Sequence, residues 1–255
     1  MKTVAVANQK GGVGKTTTSV NLAASLGAMG KSVLLVDLDP QGNATMSSGI
    51  DKHGVELTAY DLLIDNTPID RVAVQAQDNG YFVVPANRDL TAAEVELLDV
   101  ENRERRLANA LTPAVEYDFV IIDCPPSLSM LTVNALVAAR SVIITMQCEY
   151  FALEGLSALL NTIRRVADTV NPDLDIEGIL RTMYDPRNAL TGEVSSQLHK
   201  HFGDLVYRTV IPRNVRLAEA PSHGLAALYY DRLSTGAKAY AALAGEFIKR
   251  QAPAH

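Results

Sequence analysis

The chain has 255 residues, 47% of them hydrophobic, enough for the core of one large α/β domain, and a formal net charge of −6. No apolar run approaches the roughly 18 residues of a membrane span, since the longest stretch, 134–146, is broken by Arg140, and the amino terminus has too short an apolar run for a signal peptide. Cys124 and Cys148 have no metal-ligand spacing, so a reduced, cytoplasmic protein is expected. The charge is uneven: residues 1–177 carry 13 basic and 23 acidic side chains, net −10, whereas residues 178–255 carry 10 and 6, net +4. A basic carboxyl-terminal third points to a polyanion on one face, or to no more than a solvated surface.

In chain order, a strand at 3–7 runs into "QKGGVGKTTT" (9–18) and a helix at 15–29. A strand at 32–36 leads to "VDLDPQGNAT", and further strands follow at 81–84, 119–122, 142–146, 176–182 and 205–211. Helices are predicted at 132–139, 154–170 and 191–202, with a last one over "TGAKAYAALAGEFIKRQ". Strands as continuously apolar as "SVLLVD" and "FVIID" are buried on both faces. The predicted fold is therefore α/β, a doubly wound, mostly parallel sheet with helices on both faces, forming one domain over residues 1–255. "ENRERR" (101–106) reads as a solvated helix face. Ligands of such folds bind at the carboxyl ends of the strands, where the first loop, Asp37, Asp39 and Asp123 should converge.

The loop departs from the usual phosphate-loop pattern in one place. Gly14, Lys15 and Thr16 fit, but Gln9 stands where the first glycine belongs, and Lys10 lies beside it. Backbone N–H groups over Gly11, Gly12, Val13 and Gly14, continuing into Lys15, Thr16 and Thr17, can surround phosphates. The helix amino terminus adds positive potential and Lys15 a point charge. The Thr16 hydroxyl is placed for Mg²⁺, with Asp123 as its partner, directly or through a water. Asp39, followed by Pro40 and Gly42, is a candidate for orienting a water on the γ-phosphate, or else caps a turn; Asp37 supports the metal site from behind. The guanine-reading Asn-Lys-x-Asp string is absent, which favours adenine and hence ATP with Mg²⁺ as cofactors.

Six stretches, "KGGVGKTT", "DLDPQGNAT", "FVIIDCPPSL", "QCEYFALEGL", "TMYDPRNAL" and "IPRNVRLAEAPSHG", together resemble the ParA/Soj family of chromosome- and plasmid-partition ATPases, from Lys2 to about Ile248. The first alone marks only the wider deviant Walker A class of P-loop NTPases, which includes MinD and the nitrogenase iron protein. The resemblance implies the short form, without an amino-terminal helix-turn-helix domain. It implies that Lys10 reaches the phosphates held by the other subunit of a nucleotide-sandwich homodimer, so that ATP joins two chains. It also implies catalytic roles for Lys10, Lys15 and Asp39, and adenine contacts from Pro212 and Asn214. Nonspecific double-stranded DNA would meet Arg187 and Arg216, and a ParB-like centromere-binding protein would stimulate slow hydrolysis on the nucleoid. Arg216 has an alternative in an internal ion pair with Glu219 or Asp185. Where relatives usually carry Lys and Pro after "SHG", this chain has Leu225 and Ala226, which removes one phosphate contact and implies either a lower nonspecific DNA affinity or one carried by Arg213, Arg208 or Lys200 instead.

Three alternatives follow from the same sequence. A MinD-like membrane-switch ATPase needs a terminal amphipathic helix, but Tyr240, Leu243, Ala244, Phe247 and Ile248 have a spacing that fits packing on the core. An iron–sulfur reductase needs glycine-flanked cysteine loops, which Cys124 and Cys148 lack. A ligase of the dethiobiotin synthetase type needs an acceptor pocket that has no signature here.

Overall fold

The computed structural model describes residues 1–114 and 116–251. In chain order the strands are β1 (Lys2–Ala7), β2 (Val33–Asp37), β3 (Val74–Ala76), β4 (Tyr81–Val84), β5 (Phe119–Asp123), β6 (Ser141–Gln147), β7 (Asp175–Tyr184) and β8 (Val206–Pro212). The helices are α1 (Lys15–Ala28), α2 (Asn43–Ser47), α3 (Ala59–Leu63), α4 (Ile69–Val72), α5 (Leu90–Glu96) and α6 (Arg106–Leu111). They continue with α7 (Met130–Ala138), α8 (Ala152–Thr169), α9 (Ala189–Phe202), α10 (Val215–Glu219), α11 (Ala227–Tyr230) and α12 (Thr235–Gln251). The eight strands form one sheet in the order β3-β4-β2-β5-β1-β6-β7-β8, parallel throughout except for the edge pair β3–β4.

The sheet is doubly wound because each central strand serves two cores. Leu34 and Val36 of β2, with Val120 and Ile122 of β5, face a core covered by α3 and α5 to α9. Their neighbours Val33, Leu35, Phe119 and Ile121 face a second core with α1 and α12. Period-two alternation in a strand that is apolar at every position therefore separates the helices into two layers. The apolar stripe of α12, Tyr240, Leu243, Ala244 and Phe247, is fully used against α1 and β8. No helix among the described residues is long and apolar enough to cross a membrane.

Two local expectations are corrected. β3 is absent from the sequence reading because it is three residues long and lies antiparallel at the sheet edge with two residues exposed. "ENRERR" is not a helix face: Arg103–Arg105 form a 3₁₀ turn and α6 begins at Arg106. Its arginines close the carbonyl ends of neighbouring helices, Arg106 donating to Leu63 O at 2.7 Å and Ile64 O at 2.8 Å, and Arg105 to Val170 O at 2.8 Å.

Gly27 on α1 allows that helix to touch the turn between β3 and β4. A β-carbon there would lie 2.6 Å from the Gly80 carbonyl oxygen. Helix propensity alone would make Gly27→Ala a gain of about 1 kcal/mol. Here the clash decides the sign, and urea denaturation should show a loss of about 1–3 kcal/mol.

Candidate active site

The parallel register places Val6 beside Asp123 and Asp37 beside Asp123, so the ends of β1, β5 and β2 adjoin. The loop after β1 turns through Gly12 (φ 73°) and Gly14 (φ 83°), the left-handed conformations that glycine adopts without strain, and α1 begins at Lys15. Gly14 is the N-cap and offers no side-chain acceptor, and the first turn of α1 carries no acid. The first-turn N–H groups and the helix dipole are thus left for an external anion.

Lys15 is 7% exposed, and its ammonium donates to Lys10 O at 3.2 Å. Burial lowers its pKa, opposed by the carboxylates of Asp123 and Asp39. Asp123, fully buried, accepts from the Thr16 hydroxyl and the Ser19 hydroxyl, both at 2.8 Å. Burial first, and then the neighbouring Asp37, push the Asp123 carboxyl up to about 7. A carboxylate and a hydroxyl side by side are hard oxygen donors, and a carboxyl so poised holds either a proton or a cation, so Thr16 and Asp123 fit Mg²⁺.

Asp37 accepts from Thr45 N at 2.8 Å, Thr45 Oγ1 at 2.7 Å and Asp39 N at 3.1 Å, which fastens the loop after β2. Its carboxyl is pushed up to about 6, by burial first, against the bonds from Thr45. Asp39 is 9% exposed, and its Oδ1 accepts from Gln41 N at 2.9 Å, the turn cap that the sequence allowed. Lys10 points away from the loop into an ion pair with Glu149, its side chain 58% exposed.

A cavity of about 190 Å³ opens beside the loop between β7, β8 and α12. Gly14, Thr17, Pro212 and Asn214 line it, as do Thr182, Met183 and Tyr240, to which the sequence assigned no site role. Thr182 Oγ1 donates to Val13 O at 2.8 Å, joining β7 to the phosphate loop, and Met183 has a left-handed backbone (φ 48°). Asn214 is already occupied: its Oδ1 accepts from Arg216 N at 3.0 Å to cap α10, and its Nδ2 donates to Thr235 Oγ1 at 2.8 Å.

A family model described as "AAA domain" matches residues 1–176. The chain is 54% identical to the sporulation initiation inhibitor protein Soj of Bacillus subtilis, over 96% of this chain and 97% of that one. It is 50% identical to the chromosome partitioning protein ParA of Myxococcus xanthus, over 98% of this chain and 89% of that one. The chain belongs to the ParA/Soj family of ATPases. Its fold is also that of a crystal structure of cobyrinic acid a,c-diamide synthase from Mycobacterium smegmatis with bound ADP and magnesium, at TM-score 0.84 and 39% identity, covering 96% of this chain and 93% of that one.

In this ParA/Soj chain the two arginines singled out for DNA lie on segments that follow β7 and β8, and both are held by carboxylates. Arg187 grips Asp185 with two bonds, Nε to Oδ1 at 2.9 Å and Nη2 to Oδ2 at 2.8 Å, while its side chain is 87% exposed. Arg187 pulls the Asp185 carboxyl down to about 2. Arg216 meets Glu219 at 2.7 Å and Asp231 at 3.2 Å. The expected alternative with Glu219 is therefore formed, whereas Asp185 is taken by the nearer Arg187. Both cysteine thiols are pushed up by burial, so neither is an activated nucleophile.

Because Asp37 and Asp123 are raised above an ordinary value of 3.8, the folded chain binds more protons than the unfolded chain. Their contribution to stability is full below that value and is lost as pH rises through 6 to 7. In metal-free buffer, thermal unfolding of Asp123→Asn should therefore improve relative to wild type between pH 4 and pH 7. A constant difference across that window would show that the carboxyl is not held neutral.

Proposed function

We propose that this chain is a DNA-partition ATPase that acts as an ATP-bridged homodimer. The observation that carries the reading is the contrast between its two lysines: Lys15 is buried in the loop, whereas Lys10 stands exposed at its rim. A phosphate loop needs only one lysine, and a second that faces outward is available to the nucleotide of another copy. Its pair with Glu149 is exposed, and such pairs contribute only about 0–1 kcal/mol, so exchange for a triphosphate is easy.

Each side chain has a role in that cycle. The amides from Gly12 to Thr16 would hold the phosphates, and Thr16 and Asp123 would hold Mg²⁺. When bound, the ion neutralises charge that develops on the transferred phosphoryl group. Asp39 keeps Oδ1 on Gln41 N and uses Oδ2 to orient the attacking water. Pro212 and Asn214 bound the adenosine pocket, with Asn214 acting through the backbone turn that it caps.

Dimerisation then brings two copies of Arg187 and Arg216 to one surface. Neither copy alone offers enough cations to DNA on an acidic chain, and nonspecific affinity rises steeply with the number of phosphates neutralised. A ParB-like partner would accelerate hydrolysis and release the dimer from nucleoid DNA. A ligase reading, favoured by the name of the Mycobacterium smegmatis neighbour, is distinguished by turnover that requires a small-molecule acceptor.

The decisive assay is retention of Asp39→Ala on nonspecific double-stranded DNA, with ATP-Mg²⁺ against ADP-Mg²⁺ across a salt series. The expected result is binding with ATP alone, weakening steeply with salt. Absence of binding in both states would remove the DNA reading. In the same background, Arg187→Ala or Arg216→Ala should leave the dimer intact and lower the log-log salt slope by roughly 2 per dimer, about one for each phosphate that an arginine no longer neutralises. An unchanged slope in both variants would take these arginines out of the DNA surface.

A further inference from the structure

Arg181, on β7, is 6% exposed and forms no ion pair among the described residues. A buried guanidinium without a carboxylate is expensive unless its donors meet acceptors. Nη1 donates to Ser195 Oγ at 2.7 Å, and Nη2 donates to Tyr207 O at 2.8 Å and Arg208 O at 3.3 Å. Two of its acceptors are thus backbone carbonyls of the neighbouring strand.

The ladder between β7 and β8 explains why those carbonyls need a donor. Ile179 pairs with Val206 and Arg181 with Val210, so two steps on β7 face four on β8, and β8 bulges over 207–209. Arg181 meets the carbonyls of that bulge. Glu246 of α12 meets its amides, accepting from Arg208 N and Thr209 N at 2.9 Å each and from Thr209 Oγ1 at 2.7 Å. The offset reverses at once: Arg181 to Tyr184 is three steps against two from Val210 to Pro212. The extra residue on β7 falls at 182–183, where Met183 takes its left-handed backbone and enters the wall of the cavity that Pro212 and Asn214 also line.

A left-handed conformation in a non-glycine residue persists only where its surroundings fix it. Thr182 is tied to Val13 on one side of Met183, and Tyr184 O accepts from Arg213 N at 3.3 Å on the other. We propose that Arg181 and Glu246 are positioning residues for nucleobase recognition: by clamping the β8 bulge from both sides they set the register at which Met183 faces Pro212 and Asn214. The inference rests on the reading of this cavity as the adenosine pocket.

The test compares binding of ATP, GTP and inorganic tripolyphosphate, each with Mg²⁺, to wild type, Arg181→Lys and Glu246→Gln. Lysine keeps the charge but cannot bridge both carbonyls and Ser195. Glutamine keeps the shape but replaces an acceptor oxygen by a donor facing an amide. Each variant should lose about tenfold in ATP affinity and a similar factor of ATP-over-GTP preference, while tripolyphosphate binds within about twofold of wild type. The two substitutions act from opposite sides of β8, so misfolding of one leaves the other decisive. Unchanged base preference in a folded variant, or parallel loss of ATP and tripolyphosphate, would overturn the clamp while leaving the adenosine pocket standing. If wild type itself does not prefer ATP to GTP, the adenosine pocket fails and the clamp fails with it.

Discussion

Asp123 is shielded from solvent, yet hydroxyls one turn apart on α1, Thr16 and Ser19, both converge on it. Residues three apart share a helix face, so a single carboxylate fixes the rotation of α1 as well as its distance from the end of β5. That rotation aims the first-turn amides into the loop and sets where Lys15 lies. The parallel register supplies the rest, because Asp37 is beside Asp123 and holds the loop of Asp39 through Thr45. Two adjoining buried carboxylates are a poor arrangement for the isolated fold. They become a good one when a cation neutralises them, so the architecture is adapted to its ligands more than to its own stability.

The same economy governs the lysines. Lys15 is desolvated, and its charge is supported by the carboxylates Asp123 and Asp39 against that burial. Lys10 stands outside the loop's glycines and retains solvent. Residue type is identical and consequence is opposite, because exposure decides whether an ammonium serves its own loop or meets something that approaches from outside.

Much of this architecture was legible in the sequence. Strands such as "FVIID" are apolar at every position, which announces burial on both faces, and the strands at 81–84 and in the centre of the sheet follow directly. The phosphate loop was legible because glycine, lysine and threonine at fixed spacing have a local mechanism. β3 and the short helices α2 to α6, α10 and α11 were not, since segments of three to seven residues contain too few periods to be distinguished from loops. The cavity was only half legible. Pro212 and Asn214 were read as adenine contacts, but Thr182 and Met183, although they open the "TMYDPRNAL" stretch, were given no such role, and they reach the cavity with Tyr240 from a strand end and a distant helix that only the fold brings together. Asn214 further shows that a residue can be placed correctly while its polar atoms serve the backbone.

Charge presents the subtlest case, because cations legible in sequence do not declare their partners. Lys10 meets Glu149, Arg187 meets Asp185, and Arg216 meets both Glu219 and Asp231. Asp185 and Glu219 are near neighbours in sequence, whereas Glu149 and Asp231 arrive through the fold. All four pairs are open to solvent, where attraction is screened and side-chain entropy opposes it, so none is strong enough to lock its cation. Their collective effect is on the isolated chain, in which Lys10, Arg187 and Arg216 are neutralised where they stand. A surface built this way responds to polyanions only when several cations are offered together, since each exchange is nearly neutral and the gain arises from released counterions. Duplicating the surface by symmetry would supply that multiplicity without any new residue, so under the proposed function association of two copies and affinity for a polyanion would be physically coupled in a chain with a net charge of −6.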